Sequence, residues 1–310
     1  MKNLITAKKY ARAIEALIIT MSINTGVFAS NISDAEELLL KGKWDKLYDL
    51  SGSWISSAPD EPAPYYFRQF ACYATNRINE AYDMNGRILN IDRNGNKFRP
   101  DAERLLSANP ENAYANILME YAAYYAGEYL LVKELLEKAI SISPKYGPAY
   151  YDLAVVYEYL KDNAKSLEII KEGIEKDPYF LGNYFYAGLQ YERKNDYSSA
   201  EKMYEEAIKK DKKHRTVSFH RQLAMLYMKR AADKEAVKVL QKALKLQPED
   251  IESSVILGDA LKAMGDFEEA NRVWSAALKE ISGGSDRWEA ALNTRLRKLE
   301  KMIFEEGQKK

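Results

Sequence analysis

Residues 92–103 put Asp92, Asn94, Asn96 and Glu103 at the first, third, fifth and twelfth positions of a twelve-residue stretch, the oxygen-ligand spacing of a calcium loop. Lys97 stands at the sixth position, where the sharp turn of such a loop needs glycine, and Pro100 intrudes at the ninth. The same stretch also reads as a β-hairpin turned by Asn94-Gly95 and flanked by Ile91 and Phe98. No metal is assigned to it. Catalytic chemistry has no stronger support. His214 and His220, the only two histidines, are six apart and share neither a helix face nor a metal-ligand spacing. Glu205-Glu206 and Glu268-Glu269 are adjacent carboxylates in helical stretches, where a solvated face is the ordinary role. The chain has no phosphate-cradling glycine loop, nucleophile elbow or zinc motif, so no catalytic residue, metal ligand or cofactor is assigned. Cys72, the single cysteine, rules out an internal disulfide and a cysteine zinc site. Its apolar setting, Phe70-Ala71-Cys72-Tyr73, marks it as a small core residue.

What remains is recognition, and the material for it is aromatic: 23 tyrosines in 310 residues. Hydrophobic residues make up 46% and charged residues 30%, enough apolar content to bury a core. The formal net charge is zero, which removes the electrostatic case for nucleic acid or an anionic membrane surface.

The N-terminus has its own order. Lys2, Lys8, Lys9 and Arg12 precede an uncharged stretch, Ala16–Ser33, and Val27 and Ala29 supply the small residues of a cleavage site. A basic head, apolar centre and small-residue exit read as a secretory signal peptide over 1–29. Glu15, Thr20, Ser22, Asn24 and Thr25 dilute the apolar run, so no stable membrane span is expected. The expectation is an exported, extracytoplasmic protein of net charge near −3 after removal of four positive charges and one negative. Retention in the cytoplasm is the alternative.

Small residues recur along the rest of the chain with a fixed interval. Ala154, Gly188, Ala224 and Gly258 are 34, 36 and 34 apart, and Ala139, Gly173, Ala207, Ala243 and Ala277 keep the same register. Tyr157, Tyr191, Tyr227 and Leu261 follow it, and Pro144, Pro178 and Pro248 end the units. A fixed period of this length means stacked helix–turn–helix units, with small residues where two helices cross. The pattern resembles the tetratricopeptide repeat, and the resemblance implies an all-α, right-handed superhelical solenoid of antiparallel helix pairs. The array is expected over 113–284, with divergent helical repeats over 30–112 and a capping helix and tail over 285–310. In the 113 unit Glu120 replaces the usual small residue. Further upstream, Tyr65–Tyr82 reads as a first helix whose second helix appears only at Asp101–Ser107, after an inserted loop at 83–99.

The resemblance also implies where a ligand lies. In tetratricopeptide arrays the first helix of each pair lines a concave groove through its second, fifth, ninth and twelfth positions. Those positions carry Tyr114, Ile117, Tyr121 and Tyr124, then Tyr151 and Val155, Phe185 and Leu189, Arg221 and Met225, and finally Lys262. Aromatic burial at Tyr121, Tyr124, Tyr151 and Phe185 is expected to anchor a protein or peptide segment, with Arg221 and Lys262 setting its orientation. A clamp for C-terminal carboxylates is not expected, because Tyr151, Val155 and Tyr186 stand where polar donors belong. The function implied is a non-enzymatic binding scaffold; the alternatives are a structural or self-associating component of a multiprotein envelope complex, with a homo-oligomer among its forms, and last an enzyme whose site the sequence does not reveal.

Overall fold

The computed structural model describes residues 31–213, 216–281, 291–298 and 301. The signal-peptide reading of 1–29 and the C-terminal residues Ser285, Trp288, Leu299 and Ile303 lie outside them. The described residues form helices and no strand: α1 (31–40), α2 (Trp44–Ser57), α3 (Ala63–Ala74), α4 (Ile78–Ile91), α5 (Arg99–Ala108), α6 (Ala113–Ala126), α7 (Tyr129–Ile142), α8 (Gly147–Tyr159) and α9 (Asn163–Lys176). They continue as α10 (Leu181–Arg193), α11 (Tyr197–Lys210), α12 (Ser218–Lys229), α13 (Asp233–Leu246), α14 (Ile251–Ala263), α15 (Phe267–Ile281) and α16 (291–298). Neighbours in sequence pack as neighbours in space, the all-α pairing that the period predicts. The chain divides into two compact units, residues 1–166 and 167–310, with the division inside α9.

One backbone device closes every pair. Gly42, Asn76, Gly127 and Lys161 in the first unit, and Asn195, Ala231 and Gly265 in the second, hold left-handed φ between 56° and 81°. Each stands just past the end of a first helix and reverses the chain. The next residue's N–H then reaches back to a carbonyl five residues earlier, as in Arg77 to Cys72 (2.8 Å), Asp162 to Tyr157 (2.8 Å) and Ala232 to Tyr227 (2.9 Å). These bonds satisfy carbonyls that the helix end leaves unpaired. Asp162, Asp196 and Asp266 then accept the N–H of Lys165, Ser199 and Glu269 at the start of the second helices.

This series corrects the expected insertion. Gly42 and Asn76 are one period of 34 apart, whereas Asn76 and Gly127 are 51 apart, seventeen more. The inserted loop does not begin at 83. Residues 78–91 are α4, the second helix of the pair begun by α3, because Ile78, Ala81 and Ile88 form a buried stripe at helical spacing. The insertion is the turn after α4 together with α5. Neither hairpin nor calcium loop forms in it. Buried Asp92 accepts the backbone N–H of Lys97 (3.0 Å) and Phe98 (3.1 Å) and the Tyr66 hydroxyl (3.2 Å), which commits its carboxylate to holding the turn. Phe98 stacks on Tyr66 at 4.4 Å between ring centroids.

A second contact recurs at four of the unit ends. Tyr65, Tyr150 and Tyr184 donate their hydroxyls to the carbonyls of Pro59, Pro144 and Pro178, six residues earlier (2.9, 2.9 and 3.3 Å). Asn116 does the same to Pro110 through its side-chain amide (3.1 Å). Small residues sit at the crossings as the register predicts. A Cβ on Gly188 would meet the Tyr204 ring at 2.4 Å, so the close approach there depends on glycine. At the C-terminal end Leu292 of α16 is buried in the cluster around Trp274 and Leu261, and Arg295 pairs with Asp259 (2.8 Å), which covers the last pair.

Candidate binding site

In the first unit α3, α4, α6 and α8 enclose a cavity of about 80 Å³ that opens to solvent, room for a few water-sized groups. Helix α6 contributes Glu120, Tyr121, Tyr124 and Tyr125; α8 contributes Tyr151, Asp152 and Val155; α3 contributes Gln69 and Tyr73; α4 contributes Asn85. Four of the expected groove residues, Tyr121, Tyr124, Tyr151 and Val155, therefore meet at one place. Helical geometry explains the meeting: residues three and four apart share a face, so Tyr121 with Tyr124 and Tyr151 with Val155 project together.

The floor of the cavity is polar. Asn85 accepts from both Gln69 Nε2 and the Tyr125 hydroxyl and hydrogen-bonds Tyr73. That network orients the Gln69 amide and leaves its Oε1 without a partner. Glu120 is 2% exposed and its Oε2 is also unpaired, as are Asp152 Oδ2 and the Tyr121 hydroxyl. The lining holds no cation. Burial first, and then the negative charge of Asp152, push the Glu120 carboxyl well above the usual carboxylate range, and burial pushes Asp152 up to about 7. The hydroxyls of Tyr73 (α3), Tyr82 (α4), Tyr121, Tyr124 and Tyr125 (α6) and Tyr151 (α8) are raised mainly by burial, with the Asp152 charge adding to each. The site is thus a desolvated, electron-rich pocket holding two carboxyls raised by burial, with Asp152 near its titration point at neutral pH.

Beside the cavity Tyr124 opens onto exposed aromatic surface. Tyr129 and Tyr159 stack at 4.5 Å, Tyr124 meets both edge-on at 6.0 Å, and Leu130 is 69% exposed.

The remaining expected groove residues are placed differently. Ile117 is fully buried, and Tyr114 is held in an aromatic cluster with Trp44 (4.8 Å), Phe70 (5.9 Å) and Tyr146 (5.4 Å). In the second unit Phe185 and Leu189 belong to the core around Tyr204 and Phe219. Arg221 is bound to Asp250 (2.8 Å) and Glu252 (3.0 Å), so it clamps the start of α14. Met225 and Lys262 are half-buried. A wider depression of about 360 Å³ in this unit is lined by Glu205, Lys209, His220, Tyr227, Lys238 and neighbours and includes none of the expected groove residues. Cys72 is fully buried in α3, and burial pushes its thiol up to about 12, as a core cysteine requires.

Sequence reasoning missed Glu120, Asp152, Gln69 and Asn85 as site residues. One signal was present: Glu120 occupies the register position that is alanine or glycine at 154, 188, 224 and 258, and a buried acid there calls for a reason.

Helices alone, paired in succession and presenting first-helix faces, define a repeat scaffold. Tetratricopeptide repeat models match residues 147–180 and 187–251, so the chain carries tetratricopeptide repeats. Among solved structures it resembles yeast Tom70 (14% identity, 84% of this chain and 59% of that one, TM-score 0.57). It also resembles a chain of the APC/C hetero-tetramer Cut9–Hcn1 (16% identity, 86% of this chain and 48% of that one, TM-score 0.53). The third is pilF of Pseudomonas aeruginosa (19% identity, 63% of this chain and 86% of that one, TM-score 0.51). At these identities the likeness is one of fold. No curated protein matches the chain. Tetratricopeptide scaffolds typically serve protein interaction, and no described helix is long and apolar enough to cross a membrane.

Proposed function

We propose that this protein is a non-enzymatic scaffold that holds a protein or peptide segment, with its principal anchor at Tyr121, Tyr124, Tyr151 and Val155 in the first unit. The observation that carries this reading is the cavity bordered by half-buried tyrosines, one of which, Tyr124, meets the exposed Tyr159 ring edge-on. Apolar surface beside a concave, partly polar pocket is the usual anatomy of a peptide anchor. Two raised acids are also what an acid–base catalyst needs. A cavity of about 80 Å³ accepts the end of one side chain and leaves no space for substrate on both sides of a scissile bond.

Peptides selected by panning against the full chain should lose at least roughly tenfold in affinity, about 1.4 kcal/mol, when Tyr124→Ala and Val155→Ala are combined. Both residues are half-buried, so the pair perturbs the surface more than the core. Unchanged affinity across all selected peptides would remove the groove assignment.

The basic head and small-residue exit of residues 1–29 support export as a second part of the proposal. Protein recovered from its native cells should begin at Ser30; a cytosolic chain that retains Met1 overturns export.

A further inference from the structure

Three buried oxygens converge on the first-unit cavity without a hydrogen-bond partner, Glu120 Oε2, Asp152 Oδ2 and Gln69 Oε1, against the single unpaired hydroxyl of Tyr121 in the same lining. Buried polar groups in folded proteins are almost always paired, so an unpaired set implies an occupant that supplies what is missing. The missing element is donors and positive charge. A primary ammonium carries three donors, no acceptor and one positive charge in a compact group, whereas the guanidinium is a larger planar fork. The walls suit the same group, since tyrosine faces attract a desolvated cation and Tyr121, Tyr124 and Tyr151 line the cavity.

We propose that this cavity receives an alkylammonium group, the end of a lysine side chain on a bound polypeptide, with Glu120 and Asp152 as its counter-charge. A polypeptide is favoured over a free amine by the mouth: Tyr124 is shared between the cavity and the exposed Tyr129–Tyr159 stack, where residues flanking the lysine find apolar surface. The inference rests on the scaffold reading above and names the chemistry of its anchor. An ammonium beside Asp152, whose carboxyl burial raises to about 7, holds that group ionised, so complex formation at neutral pH releases protons to the buffer.

The test is calorimetric titration of the full chain at pH 7 and 150 mM salt with n-butylammonium chloride, 1-pentanol and acetyl-Leu-Lys-Leu-amide. Butylammonium should saturate and pentanol should not. The heat should differ between buffers of different ionisation enthalpy by the amount proton release requires. Glu120→Gln should weaken butylammonium at least tenfold, and Asp152→Asn, an independent variant, should do the same. The tripeptide should bind at least tenfold more tightly than butylammonium. No saturation by butylammonium up to 50 mM (roughly the weakest side of small-fragment binding), or equal binding by both variants, overturns the ammonium site. Equal affinity for tripeptide and butylammonium overturns the polypeptide source. A panned peptide that is sensitive to Tyr124→Ala but indifferent to Glu120→Gln overturns this inference and leaves the groove standing.

Discussion

Glu120→Gln should be more stable than the natural chain at pH 8 and close to it at pH 4. The sign follows from the direction of the shift. Burial raises the Glu120 carboxyl above its ordinary value, so between the two values the folded state keeps a proton that the unfolded state has released. Stability then falls as pH rises, because the folded state binds more protons than the unfolded one. Below the unfolded value both states are protonated and the group contributes nothing. Asp152, raised to about 7, adds a second loss between its ordinary value and neutrality. Glutamine has nearly the same shape and no proton to lose, so the gain at pH 8 should be roughly 1–3 kcal/mol, the scale of an unsatisfied buried polar group. Urea midpoints across pH 4–9 for both chains would show it as converging curves. A variant less stable than the natural chain at pH 8 would mean that the Glu120 carboxylate is ionised and paired after all. The expected gain in stability comes with the expected loss of ammonium binding, the usual opposition between a settled core and a working site.

Gly258→Ala should destabilise the second unit, although alanine is the better helix former. A Cβ at this position lies 2.1 Å from Trp274 Nε1 and 2.4 Å from Cδ1. The indole cannot step aside easily. It is fully buried and its Nε1 donates to the Val255 carbonyl at 3.1 Å. Overpacking of this kind costs about 1–3 kcal/mol, and it should loosen α14–α16 before the rest of the stack. Gly86 in α4 provides the contrast, because a Cβ there meets nothing within 4 Å. Gly86→Ala should gain about 0.5–1 kcal/mol from helix propensity alone. Opposite signs for the same substitution, read in parallel urea titrations with hydrogen exchange to locate the change, would separate helix crossing from propensity. If Gly258→Ala gains as Gly86→Ala does, the close crossing at Trp274 is wrong.

Much of the architecture is legible in residue types at fixed intervals. The recurrence of Ala154, Gly188, Ala224 and Gly258 at intervals of 34, 36 and 34 marks helix crossings because small side chains let two backbones approach. The prolines mark unit ends because they cannot continue a helix. The N-terminal pair was harder to read. Asn85, Gly86 and Asn90 carry turn chemistry, and the stripe of Ile78, Ala81 and Ile88 is too sparse to outweigh it locally; packing against α3 decides for helix. Phe98 stands at the start of α5 outside any repeating stripe, and its contacts with Tyr66 and Phe67 explain its burial.

By itself, then, the order of residues determined repeat class, period, turn positions and the helix face that presents Tyr121, Tyr124, Tyr151 and Val155, since all of these follow from spacing along one chain. Only the tertiary structure decided the site. Gln69, Glu120 and Asp152 lie on three different helices and become one unpaired acceptor set when α3, α6 and α8 pack. Their chemistry comes from removal of water, which raises both acids and leaves these oxygens without partners. Desolvation is a property of what surrounds a residue in space, and no local interval encodes it.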